Sequence, residues 1–196
     1  TCFDTHHINF AEDADSTAWV SAGTCPKCDD NGVIGWIDTR RYDQTRNDEA
    51  SQGWCPFILD TNGDGVIGRY TEPSDPFDPA LDRRTGGPSY GIVPNPADGS
   101  VWFAQPDLPG RIVRLERGSN PPFTCKAEVY EPPFRNPQAP NKMGFTPRGI
   151  ATERSGVVWT ALAGSGHLAS FDRRKCRVLN GPTATGQHCP EGWTLY

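Results

Sequence analysis

Apolar residues in this chain fall into short runs bounded by polar turns, and the runs recur in a fixed order. An apolar run, a turn and a Trp-centred run appear first as His7-Ile8-Asn9-Phe10 and Ala18-Trp19-Val20-Ser21. They return as Gly91-Ile92-Val93 with Val101-Trp102-Phe103-Ala104, and as Gly149-Ile150-Ala151 with Val158-Trp159-Thr160-Ala161. The residues between them, Ala14-Asp15-Ser16, Ala97-Asp98-Gly99 and Arg154-Ser155-Gly156, have turn chemistry, so each pair predicts a hairpin. A third run ending in an acid comes after each Trp: Ile34-Gly35-Trp36-Ile37-Asp38, Ile112-Val113-Arg114-Leu115-Glu116 and Leu168-Ala169-Ser170-Phe171-Asp172. A fourth closes each unit: Trp54 to Leu59, Cys125 to Tyr130 and Glu191 to Tyr196. The shared register predicts that Trp19, Trp102 and Trp159 occupy equivalent second-strand positions, packed between sheets.

Four strands per unit, repeated, is the blade pattern of a β-propeller. The expectation is therefore an all-β chain of three four-stranded blades, residues 1–59, 88–131 and 147–196. Between them lie an Asp- and Pro-rich insertion at 60–87 and a second insertion at 132–146. A further insertion, Thr39 to Gln52, interrupts the first blade. Three blades do not close a ring, because propellers take about four to eight. The pattern thus implies part of a six- or seven-bladed ring, completed by the rest of a longer polypeptide or by a second copy.

Composition narrows the class. Gly and Pro number 21 and 19, which disfavours long helices, while six Trp, nine Phe and five Tyr argue for a packed core over disorder. Net charge is −5 and no segment concentrates Lys or Arg, which argues against nucleic acid as a partner. No apolar run is long enough to span a membrane. Seven cysteines in a loop-rich chain favour an oxidising, extracytoplasmic compartment, periplasmic or secreted.

Pro88-Ser89-Tyr90-Gly91-Ile92, Gly99 to Ala104 and Arg111 to Glu116 form a rhythm that the third unit repeats as Pro147-Arg148-Gly149-Ile150-Ala151, Gly156 to Thr160 and Ser170-Phe171-Asp172. This rhythm resembles that of the propellers related to virginiamycin B (streptogramin) lyase. The Thr5-His6-His7 opening with the long insertions resembles bacterial exported proteins labelled carboxypeptidase regulatory-like. The first resemblance implies the propeller fold and, in the lyases, a histidine general base beside a divalent metal near the ring axis. Only His6 or His7 could take that catalytic role here.

Strand alternation puts one of His6 and His7 toward the central channel, with Tyr90 and Arg148 at the equivalent places of the other blades. A mouth lined by His6, Tyr90 and Arg148 suits an anionic or hydrogen-bonding ligand. The plainer reading is histidines satisfied by neighbouring backbone. Gly164-Ser165-Gly166-His167 reads as a tight turn and not as a nucleophile with its base.

The sharpest chemical signal is Asp60-Thr61-Asn62-Gly63-Asp64-Gly65-Val66. Oxygen donors at positions 1, 3 and 5, Gly at 6 and a backbone carbonyl at 7 are what calcium takes. The predicted ligands are Asp60, Asn62, Asp64 and the Val66 carbonyl, with Glu72 or Asp75 completing the shell; the alternative is a metal-free Asn-Gly/Asp-Gly turn. Asp29-Asp30-Asn31-Gly32 is a shorter echo, read as a hairpin turn. Cys25-Pro26-Lys27-Cys28 admits a redox dithiol, half a zinc site or structural disulfides, of which the last is favoured. Cys176 and Cys189 flank one loop and are expected to pair. The functional expectation is a non-enzymatic exported module for binding or assembly in a bacterial envelope or extracellular complex, stabilised by calcium; the alternative is a metal-dependent lyase.

Overall fold

The computed structural model describes residues 5–22 and 32–196. Cys2, Cys25, Cys28 and the Asp29–Asn31 echo lie outside the described residues. Among those described the chain is mostly β, in three sheets.

The first sheet is a meander of β1 (Ile8–Phe10), β2 (Thr17–Ser21), β3 (Val33–Asp38) and β4 (Gln52–Pro56), each paired antiparallel with the next. Between β3 and β4 the insertion is not open loop. It forms two short helices, α1 (Thr39–Thr45) and α2 (Asp48–Ser51), whose first turns are capped by Asp38 accepting from the Arg41 amide and Asn47 accepting from the Ala50 amide.

After Pro56 the chain leaves this sheet. β5 (Ile58–Leu59), β6 (Tyr70–Thr71) and β7 (Asp82–Arg84) join β8 (Ile92–Pro94), β9 (Val101–Gln105), β10 (Arg111–Glu116) and β11 (Lys126–Tyr130) in a second sheet, ordered β6-β7-β5-β11-β10-β9-β8. The expected four-stranded unit is thus one end of a seven-stranded sheet. The continuous strand expected from Trp54 to Leu59 is divided at Phe57, whose ring is fully buried 4.5 Å from that of Phe103. The third sheet is again a meander, β12 (Pro147–Thr152), β13 (Val158–Leu162), β14 (His167–Phe171) and β15 (Trp193–Leu195).

Pairing confirms the register read from the sequence. Trp19 stands opposite Asn9 and Trp36, Trp102 opposite Val93 and Arg114, and Trp159 opposite Ala151 and Ser170. In each unit the Trp lies on the second strand of the meander, and the acid sits two residues beyond its cross-strand partner.

Two apolar clusters hold the sheets face to face. Val101, Phe103, Val113, Leu115 and Val129 of the second sheet meet Trp19, Ile34 and Trp36 of the first. From the opposite face, Val93, Trp102, Ile112 and Tyr130 meet Val158, Leu162, Ala169, Phe171 and Trp193 of the third. A strand buried on both faces reads as an unbroken apolar run, which is why Val101-Trp102-Phe103-Ala104 shows no alternation. Trp159 differs from its counterparts: it is only half-buried, stacked on Tyr196 at 5.3 Å.

A buried ion cluster crosses the second interface. Arg114 on β10 meets Asp98 at 2.7 Å, Glu116 at 2.8 Å and Glu128 at 3.1 Å. Glu128 also takes a two-pronged contact from Arg173 of the third unit and the Tyr130 hydroxyl at 2.7 Å. Burial raises the Tyr130 phenol far above its ordinary value, reinforced by the Glu128 charge. A buried carboxylate with three donors is satisfied; with one removed it is exposed to its desolvation cost. Arg114→Ala is therefore expected to lower unfolding free energy by about 3 kcal/mol in urea denaturation.

Two disulfides are present among the described residues. Cys176–Cys189 forms as expected across the β14–β15 connection. Cys55–Cys125, a pairing the sequence left open, ties the end of β4 to the residue preceding β11 and so locks the first sheet to the second. Its separation of 70 residues, against 13 for the other, closes the longer loop of the unfolded chain. Replacing Cys55 and Cys125 by Ala should cost about 4 kcal/mol and the Cys176/Cys189 pair about 3 kcal/mol, measured by chemical denaturation.

Candidate functional site

Strand β8, at one end of the second sheet, runs beside β1 of the first and β12 of the third, and two places on this frame carry chemistry. The first is the end at which β1, β8 and β12 are entered. The His6 amide donates to the Ser21 carbonyl at 2.8 Å and the Tyr90 amide to the Ala104 carbonyl at 2.8 Å, so both residues extend their inner strands by the same step. Arg148 reaches the same place from β12, where the register shifts between Pro147 and Ile150. Gly91 is needed here because a Cβ on it would lie 2.6 Å from the Arg148 carbonyl oxygen.

The side chains meet. The His6 ring lies 5.1 Å from Tyr90 and 4.3 Å from His7, His7 lies 4.7 Å from Tyr90, and the Arg148 guanidinium stands 5.5 Å over the Tyr90 ring. His6 and Arg148 are exposed, whereas His7 and Tyr90 are partly covered. The structure thus brings together the predicted lining residues His6, Tyr90 and Arg148, and adds His7. Two imidazoles, a phenol and a guanidinium offer hydrogen-bond donors and positive charge, a set suited to an anion.

His7 Nε2 is buried with no hydrogen-bond partner among the described residues. Burial, with the adjacent His6 charge, pushes its imidazole below the ordinary 6.5. A general base is oriented by a hydrogen bond at its second nitrogen, and His7 shows none at this one among the described residues. Because the folded value is depressed, the contribution of neutral His7 to stability is present above about pH 6.5 and lost as pH falls through its folded value. An NMR pH titration should place the His7 imidazole below 6.5, and His6→Ala should move it part of the way back.

The second place is the Asp60 loop. Asp60 is 3% exposed; its Oδ1 accepts the Gly63 amide at 2.8 Å, and its Oδ2 accepts the Gly65 amide at 3.0 Å. Gly63 and Gly65 have φ of +79° and +89°, the left-handed backbone that lets both amides turn inward. Asn62 Oδ1 takes the Asp64 amide at 3.0 Å and Asp64 Oδ1 the Val66 amide at 2.9 Å. Glu72 lies 3.5 Å from Arg84, and Asp75 accepts the Glu72 amide at 2.9 Å.

Sequence reasoning missed three residues that close on this loop. Asn180, from the connection held by Cys176–Cys189, donates to Asp60 Oδ2 at 2.8 Å, and the neighbouring Gly181 amide donates to the Asp60 carbonyl at 2.8 Å. Asp82 at the start of β7 is 0% exposed and accepts the Gly68 amide at 2.7 Å. Burial, together with the charges of Asp60 and Asp64, pushes its carboxyl above the ordinary value despite that bond. Among the described residues no group of three or more His, Cys, Asp or Glu side chains is placed to hold a metal ion.

Other sequence candidates resolve simply. Ser165 and Gly166 amides both return to the Leu162 carbonyl, a turn, and Ser165 Oγ accepts from the Phe145 amide. No helix among the described residues is long and apolar enough to cross a membrane. Comparison with protein-family models and with curated proteins finds no match to this chain.

Proposed function

We propose that the three sheets are consecutive blades of a β-propeller, and that the chain is an exported, non-enzymatic module of a bacterial envelope or extracellular complex. It binds its partner where the inner strands meet. The observation that carries this reading is the convergence of His6, Tyr90 and Arg148, one from each inner strand, on one exposed spot. Equivalent positions of three repeats meet in this way when the repeats are arranged about a common axis.

The chemistry of the spot favours capture of a carboxylate or similar anion over turnover. Arg148 supplies a permanent charge and Tyr90 a hydroxyl, while His7 lacks an orienting carboxylate among the described residues. The two disulfides agree with an oxidising compartment.

The test is an NMR titration of the full chain with citrate. Binding should shift the His6 and His7 imidazole signals, and Arg148→Ala should abolish the shift while leaving the spectrum of the sheets intact. No citrate-dependent shift would remove the anion site. Breakdown of a streptogramin in the presence of a divalent metal, lost in His6→Ala or His7→Ala, would instead establish the lyase reading.

A further inference from the structure

Among the described residues, the packing that joins the three sheets leaves one apolar face open at each end of the row. In both junctions the front of one sheet, carrying the Trp of its second strand, meets the back of the next. At the third sheet the open face is the front. Leu168 and Tyr196 are exposed there and Trp159 is only partly buried, whereas Trp19 and Trp102 are buried.

At the first sheet the open face is the back. Ile8 and Phe10 stand opposite Val20 and Ala18, which alternate with Trp19, so all four point away from the second sheet. Trp54 shares that face through Gly35, the partner of Val20. Ile8 is 61% exposed and Phe10 57%. Ile92, which holds the position of Ile8 in the second sheet, is 4% exposed because the first sheet lies against it. The same residue type at the same place of two repeats is buried where a sheet precedes it and exposed where none does.

We infer that these two faces pair across two copies of the chain. The front of the third sheet of one copy covers the back of the first sheet of the other, and the reverse, which makes a closed six-sheet ring with two-fold symmetry. This rests on the reading of the sheets as propeller blades. A front that continues the Trp19 and Trp102 junctions takes the back of a sheet of the same kind, and the first sheet presents one. One chain does not join its own ends, because a ring needs about four blades or more. Two copies engage both open faces of each, and six blades lie within the range of about four to eight. Removal of Ile8, Phe10, Trp159, Leu168 and Tyr196 from water at both junctions supplies the drive.

Sedimentation equilibrium of the full chain tests this. Wild type should be a dimer with no larger species, because a closed ring leaves no end to extend. Ile8→Arg on the back face and Leu168→Arg on the front face should each raise the dimer dissociation constant at least about a hundredfold, since each puts an unpaired charge into both junctions. Both side chains are exposed within one chain, so both variants should keep the wild-type circular dichroism spectrum. An equimolar mixture of the two should recover part of the dimer, because one of its junctions then has both faces unaltered. A dimer lost in only one variant or in neither, or a mixture no more associated than either variant alone, overturns the front-to-back pairing. Species larger than a dimer overturn the closed ring. A wild-type chain that stays monomeric at about 1 mM overturns the second copy. If that monomer still shows the citrate-dependent His6 and His7 shifts, the blade reading stands, with the rest of a longer polypeptide covering both faces; if it does not, the blade reading falls as well.

Discussion

The structure depends on the second sheet being covered on both faces. Strand β9 has no solvent side: Val101 and Phe103 are packed against the first sheet and Trp102 against the third. Burying these side chains twice over is what three short meanders of small individual stability require, because a lone four-stranded meander leaves one face of its apolar residues wet. It also makes polar residues on the shared faces expensive. Arg114 and Glu128 are therefore found only as members of a satisfied cluster that spans the interface.

The same constraint explains the covalent and chain crossings. The first sheet touches the second through side chains, but Cys55–Cys125 and the passage of β5 into the second sheet also join them through the backbone. Leu59 pairs with Ala127 in parallel, two residues past the disulfide. On the far side, the Asp60 turn reaches the loop around Asn180. A single excursion between the first and second units thus staples all three.

Local pattern was legible and long-range pairing was not. Trp19, Trp102 and Trp159 stand on the second strands as expected, because alternation and turn chemistry act over a few residues, but Trp159 is not packed between sheets as Trp19 and Trp102 are. The acids that end each third strand kept register, yet their tasks diverge with the segment each one leads into. Asp38 caps α1, Glu116 pairs with Arg114, and Asp172 caps a short 3₁₀ turn and holds Arg174 at 2.8 Å. The 60–87 segment read as loop because its strands β6 and β7 are only two and three residues long. Asp82 was invisible for a geometric reason. The loop runs into β6, and an extended chain rising about 3.3 Å per residue carries Glu72 away from it, to Arg84. The acid that does lie against the loop comes from β7, which pairs parallel to β6 with Asp82 opposite Tyr70.

The packing rule that builds the first two interfaces has a consequence for the third sheet. Trp19 faces forward onto the second sheet and Trp102 forward onto the third, each on the side of its strand away from the preceding unit. Trp159 keeps that direction, since Val158, Thr160 and Leu162 beside it are the buried side chains of β13. Forward of it lies an open apolar face, with Leu168 50% and Tyr196 63% exposed and Ala151 and Ala161 between them. The indole stacks on Tyr196 and donates through Nε1 to Glu153 at 2.6 Å. A sheet of the same kind laid on this face would bury Trp159 as the second sheet buries Trp19 and the third buries Trp102. The orientation of one residue per repeat therefore supports the propeller reading independently of the His6, Tyr90 and Arg148 cluster, because a closed ring is the arrangement in which every such Trp has a sheet in front of it.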